Sequence, residues 1–405
     1  MIMEKFLVGF LILLLIIGLT CGAFVLLNEK NYDNMIEYID TFKSEAENQL
    51  IPQKDESGNW YFTTDEDFKV LHLTDVHITG GVLNAEQDKK AIGAVAAMVT
   101  AEDPDLVIIT GDISFAIPTT GTINNRYAHE MFIRLMENLG VYWTVTFGNH
   151  DDESFNYHRR QAVADMYADE KLERCLFMQS PKDVSGMGNH VINVKNSQGE
   201  VTQSLIMIDS HAYIHKGLIG GTIDSIFWNY DCVKQDQVDW YAGVIEQYQS
   251  KSSLLFFHIP LVEVKEAYDE YVGNGRVDTE NVKWLFGVDG EDKNDEVVFS
   301  SRLENQQLFN KVLELGNTKA MFFGHDHLNN FVLDYKGVLF SYGYSIDYSA
   351  YSGIDQKGLQ RGCAVLTINP DGEFGIENIV HENYYQDKYN SLEEGETVDM
   401  TPYYD

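Results

Sequence analysis

Phe147-Gly148-Asn149-His150-Asp151 closes an apolar run over residues 141–147. The run stops at a glycine and then presents an amide, an imidazole and a carboxylate. None of the three suits a buried strand, and together they suit a metal site. Other apolar runs stop in the same way: residues 70–74 at Asp75-Val76-His77, 106–110 at Gly111-Asp112, 254–257 at His258, and 320–323 at Gly324-His325-Asp326-His327. In open α/β sheets ligands gather at the carboxyl ends of strands, where loops converge without disturbing the core. The chain therefore reads as a scaffold that brings these strand ends to one place.

Helices separate the first of these strands. Residues 84–101 carry Ala91, Val95, Met98 and Val99 on one side, and residues 126–139 form a helix stopped by Gly140. Such β-α-β-α-β order predicts a largely parallel sheet with right-handed crossovers. The second half is richer in hairpins: 191–194 with 204–208, 331–335 with 338–341, and 364–368 with 374–379, each about a polar or glycine-containing turn. Helices are expected over 235–248 and 303–315, an acidic insertion over 287–296, and a first edge strand over 60–63. The whole predicts one α/β domain over residues 65–385, followed by an acidic tail over 386–405.

Residues 6–27 are almost uninterruptedly apolar, long enough to span a bilayer as a helix. A cleavable signal peptide is the alternative, but its apolar region is usually shorter and ends in a small-residue cleavage site, of which Cys21-Gly22-Ala23 is a weak version. An uncleaved single-pass anchor over 1–27 is therefore expected, then a polar linking stalk over 28–64 with Met35, Ile36, Ile39 and Phe42 at helical spacing. Everything after Asn28 is placed on the extracytoplasmic side. Cys175, Cys232 and Cys363 have no metal-type spacing; at most one disulfide is possible among them, and three thiols are the expected state. The formal net charge of −34 repels phosphate backbones, so nucleic acid is not expected as a partner. Metal cations at one site would reverse the sign locally, which leaves small phosphate esters open.

Taken singly, each strand-end residue has an ordinary explanation as a turn residue, a cap or a structural histidine. His72, inside a strand, reads as facing away from the site. Histidines 129, 158, 190, 211, 215 and 381 read as structural. Together, Asp75, His77, Asp112, Asn149, His258, His325 and His327 are too many ligands for one zinc ion. They suit two ions bridged by one carboxylate, the arrangement used for in-line displacement at phosphorus.

These five motifs resemble those of the calcineurin-like metallophosphoesterases, from about Val70 to Phe331. The wording around Phe147-Gly-Asn-His-Asp, Phe257-His-Ile-Pro and Gly324-His-Asp-His-Leu-Asn is most similar to the purple-acid-phosphatase-like branch. The resemblance implies a two-sheet β-sandwich flanked by helices, with a dinuclear centre at one edge. It further implies that Asp75, His77 and His327 hold one metal, that Asp112 bridges, and that Asn149, His258 and His325 hold the second. One departure stands out. Purple acid phosphatases place an iron-binding tyrosine three positions after the bridging Asp, where this chain has Phe115, and they lack the histidine found here at His77. A phenyl ring cannot coordinate, so two divalent ions (Mn, Fe or Zn) and a colourless protein are expected.

The implied activity is hydrolysis of phosphate esters by a hydroxide held between the cations. His150 would stabilise the transition state and protonate the leaving oxygen, and Asp151 would orient His150. Asp326 reads equally as a group behind the ligands or as an exposed residue. The expected substrate is a phosphomonoester, small or envelope-linked, with phosphodiesters or pyrophosphate bonds as the alternative. A surface binding protein that holds metal without turnover is the reading from a different class. The segment Gly186-Met187-Gly188-Asn189, His211 and Tyr342-Gly343-Tyr344 could line the pocket and Arg361 could meet a phosphate, but each reads first as ordinary loop or core.

Overall fold

The computed structural model describes residues 2–43, 49–290, 297–301, 307–351, 354 and 361–380. The expected acidic tail, His381 and most of the acidic insertion lie outside them. The architecture is the expected sandwich: two mixed sheets face each other, with helices on both outer faces. The smaller sheet runs Phe374–Val380, Gly362–Ile368, Phe68–Leu73, Leu106–Thr110, Trp143–Thr146 in spatial order. Its last three strands are parallel, as the helices between them require, and the first two form the antiparallel hairpin read from the sequence. The larger sheet runs Gln53–Lys54, Trp60–Thr63, His190–Lys195, Val201–Met207, Ser252–Phe256, Thr318–Phe323, Val338–Tyr342, Val332–Tyr335, Val282–Phe286. The strand expected at its edge, Trp60–Thr63, is covered by the short Gln53–Lys54 pairing.

Alternation along the strands makes three cores. Val70 points between the sheets to Phe256 and Phe322, while Leu71 and Leu73 point outward onto the helices. His72 shares the inner face, its ring edge-on to Phe256 and Phe322 and its Nε2 2.8 Å from Thr110 Oγ1. Burial pushes this imidazole down to about 3. It is therefore a core histidine, turned from the strand ends.

Helices Ala85–Glu102 and Arg126–Leu139 cover the smaller sheet, the second ending where Gly140 adopts φ 70 and donates to Met136 O. The N-terminal helix runs unbroken over Ile2–Ile39. Residues 6–16 expose large apolar side chains to surroundings outside the fold, whereas Met35, Ile39 and Phe42 are buried in the same core as Phe132 and Leu135. Asp40 accepts from Arg134 Nε at 2.7 Å. The helical spacing at 35–42 thus serves docking: this stretch lies along Arg126–Leu139 and does not stand off as a free stalk. Helices Arg160–Tyr167, Leu218–Phe227 and Val262–Gly273, in stretches for which no helix is expected, complete the outline.

Candidate metal centre

The three parallel strands of the smaller sheet deliver Asp75 and His77, Asp112, and Asn149 and His150. Strands Ser252–Phe256 and Thr318–Phe323 of the larger sheet deliver His258, and His325 and His327, from the facing side. All lie beyond the carboxyl ends of their strands, so the site straddles the two sheets. Two groups of ligand atoms form, each with its members within 4.8 Å of one another: Asp75, His77, Asp112 and His327, and Asp112, His258 and His325. Asp112 is common to both. Its Oδ2 lies 3.5 Å from His77 Nε2 and 3.0 Å from His258 Nε2, and Asp75 Oδ1 lies 3.3 Å from His327 Nε2.

The donor set fits cations. Asp112 Oδ2, His77 Nε2 and His258 Nε2 are buried with only one another and Asp75 as near polar neighbours, and Asn149 Oδ1 is buried without a hydrogen-bond partner among the described residues. Buried polar atoms are normally satisfied, so these atoms want a ligand. The backbone is committed as well. Asp75, His77, Asp112 and His325 all have φ between 51 and 78. Each such non-glycine residue costs about 1–3 kcal/mol and persists where surrounding structure over-determines it.

Close approach explains two glycines. A Cβ on Gly148 would sit 2.1 Å from Asp112 Oδ1, and one on Gly324 would sit 2.0 Å from Thr74 Oγ1 and 2.4 Å from Asp75 Oδ2. Both glycines of the G-N-H-D and G-H-D-H motifs let a carboxylate lie against the backbone.

Electrostatics follow from this crowding. Burial opposes charge on His77, but Asp112 and Asp75 outweigh it and raise the imidazole to about 9. His327 is raised well above its ordinary value against the same burial, by Asp75 and Asp347, and His258 is raised by Asp112. Burial together with the neighbouring His258 pushes His325 down. A cation binding here would therefore have to displace protons favoured on these imidazoles. Metal affinity should rise with pH through and above neutrality as the raised imidazoles of His77, His258 and His327 lose their protons. Calorimetric titration at pH 7 in buffers of different ionisation enthalpy should show roughly one to three protons released per chain; no buffer dependence would contradict these protonation states.

His150 lines the cleft. Its N–H donates to Asp112 Oδ1 at 2.7 Å, and its Nδ1 lies 2.8 Å from Glu153 Oε1. Asp151 does something other than the expected orienting of His150. Its carboxylate accepts from the backbone N–H groups of Gly148, Asp112, Ile113 and Ser114 at 2.8–3.1 Å. It fixes the loop that carries Asp112, and Glu153 is the partner of His150. Phe115 packs its ring 5.1 Å from those of both His77 and His150.

Two further carboxylates belong here. Asp347, which the sequence reading passed over, places Oδ2 3.2 Å from His327 Nδ1. It also accepts from Ser349, Ala350 and Tyr351 N–H at 2.6 Å. A signal existed: strand Val338–Tyr342 lies parallel beside Thr318–Phe323, and its continuation ends in an acid as the other ligand strands do. Asp326 is buried and accepts from Tyr342 Oη and from Phe299 N–H. Arg361 is buried and donates from Nε to Asp347 O. Gly186, Met187 and His211 line a separate cavity beside Arg160. The metal cleft, about 300 Å³, has aromatic walls from Phe115, Trp228, Tyr230, Phe299 and Tyr351.

The model of the calcineurin-like phosphoesterase family matches residues 68–329. The chain belongs to that family. Within it, the chain is similar to proteins from Arabidopsis thaliana named probable inactive purple acid phosphatase. It is 26% identical to number 28 over 72% of this chain and 73% of that protein. It is 24% identical to number 29 over 79% and 81%. Among solved structures, a dimetal phosphatase from Danio rerio is 12% identical with TM-score 0.45, covering 78% of this chain and 97% of that one. The family and its purple-acid-phosphatase-like branch are those the motifs resemble.

Proposed function

We propose that this calcineurin-like phosphoesterase holds two divalent cations (Mn, Fe or Zn) and hydrolyses phosphate esters, phosphomonoesters by preference. The observation that carries the reading is one buried carboxylate, Asp112, shared by two ligand clusters whose inward atoms lack other partners. Asp75, His77 and His327 would hold the first ion and Asn149, His258 and His325 the second, with Asp112 between them. When bound, the ions supply charge neutralisation for the phosphate oxygens and an acidified water. Asp347 orients His327. Glu153 accepts from His150 Nδ1 and so leaves the opposite ring nitrogen for the cleft, placed to meet the leaving oxygen. The helix over the first residues, long and apolar enough to cross a membrane, would anchor the protein with its domain outside the cytoplasm. An envelope-linked phosphate suits that position.

A metal-holding protein without turnover is the second reading, favoured by the names its relatives carry. The full ligand set and His150 argue against it. Side-by-side assay of p-nitrophenyl phosphate and bis-p-nitrophenyl phosphate, after loading with each metal, separates the cases. Metal-dependent turnover, faster on the monoester, is expected. In His150→Ala turnover should fall by about 10²-fold or more while metal content stays. Bound metal with no turnover on either ester would favour the second reading.

A further inference from the structure

Helix Leu218–Phe227 is amphipathic in the inverted sense. Gly221 and Asp224 face the domain and are buried, while Leu218, Ile219, Ile223, Ile226 and Phe227 are 48–76% exposed on its outer side. A helix lying on a water-soluble domain buries its apolar stripe, and contiguous apolar patches in the open mark a contact. The polar side is committed to the protein: Thr222 Oγ1 lies 2.6 Å from Ser154 Oγ, and Asp224 accepts from His215 N–H. A Cβ on Gly221 would sit 2.9 Å from Ser154 Cβ, so the helix is pressed close with its apolar side outward.

The position of this helix relative to the N-terminal one bears on what could cover it. The N-terminal helix enters the domain at Asn28, which donates to Gly121 O at 2.8 Å and accepts from Val82 N–H at 2.9 Å. Val82 and Gly121 lie in the loops that follow His77 and Asp112, so the entry point is at the carboxyl ends of the strands, the edge that holds the metal centre. From there, contacts step across one surface. Tyr157 N–H donates to Ile123 O, and Ser154, in the same loop, touches Thr222. Leu83, beside Gly121, and Tyr157 are 58% and 68% exposed on these loops. Trp228, directly after Leu218–Phe227, and Tyr230, 4.4 Å from the His325 ring, are walls of the metal cleft.

We propose that Leu218–Phe227 lies in the lipid interface as a second membrane contact, so that the metal cleft opens beside the bilayer and takes its phosphate ester from a lipid. This rests on the anchored phosphoesterase reading above. An apolar helix face with a basic residue at its margin, here Lys216, is the type that settles at the headgroup boundary. Net charge of −34 would repel an anionic surface, so the attachment depends on apolar insertion.

The test uses the full chain in phosphatidylcholine vesicles, with p-benzoylphenylalanine in place of Ile226 or, as control, of Leu315 at the amino ends of the strands. Irradiation should add lipid mass at 226 and not at 315. Cross-linking at 226 to protein, or to nothing, would overturn the proposal. In a second arm, Ile219→Ser/Ile223→Ser/Ile226→Ser should lower hydrolysis of vesicle-borne phosphatidic acid by about tenfold or more and leave p-nitrophenyl phosphate hydrolysis unchanged. Equal rates on the lipid substrate would overturn it. Lipid cross-linking in a chain that hydrolyses neither ester would sustain the docking and refute the esterase reading.

Discussion

Asp112→Asn is expected to remove hydrolysis of phosphate esters, by about 10³-fold or more, and to lower bound metal from about two ions per chain to one or fewer. Asp112 Oδ2 is the atom that faces both His77 Nε2 and His258 Nε2. An amide offers one oxygen and no charge between two cations that repel each other. The fold should survive. Asp112 Oδ1 accepts from His150 N–H at 2.7 Å, and an asparagine oxygen can keep that bond. Circular dichroism near that of the unsubstituted chain, together with metal analysis, separates loss of the centre from loss of structure. Full metal content with full turnover would refute the bridging role.

Periodicity and punctuation made the fold legible. The Arg126–Leu139 and Gln235–Tyr248 helices begin and end where their apolar spacing does. The ligand strands were marked because a buried run that stops at a glycine and a polar triplet is locally anomalous. Other features carry no such mark. Met35, Ile39 and Phe42 have helical spacing, but nothing local says that the face docks on Phe132 and Leu135. Leu218–Phe227 carries glycines at 220 and 221, which weaken a helix reading, and its apolar side faces outward. Three of the four partners of Asp151 are backbone N–H groups from a loop 37–39 positions earlier in the chain, and backbone donors leave no residue-type signature. Sequence alone therefore exposes which side chains are chemically out of place, and hides those whose work is to hold backbone.

Asp151→Ala distinguishes these two views of the G-N-H-D motif. A residue that only orients His150 would, when removed, lower turnover and leave metal content and stability near normal. The geometry leads elsewhere. Asp151 is buried, and its two oxygens accept four backbone N–H groups, from Gly148, Asp112, Ile113 and Ser114. Alanine leaves all four donors buried without an acceptor, each at a cost of about 1–3 kcal/mol. Even with partial relaxation the expected loss is about 4 kcal/mol or more, read as a fall in Tm of roughly 10 °C. Asp112 sits in that loop at φ 51, a conformation that needs support, so metal content should fall with stability. Asp151→Asn is expected to behave almost as badly, because its amide group would point donors at donors. His150→Ala and Glu153→Gln leave these four bonds in place and should keep both Tm and metal. If Asp151→Ala unfolds at the normal temperature with two ions bound and only its turnover is reduced, the loop-holding role is wrong and the sequence expectation is restored.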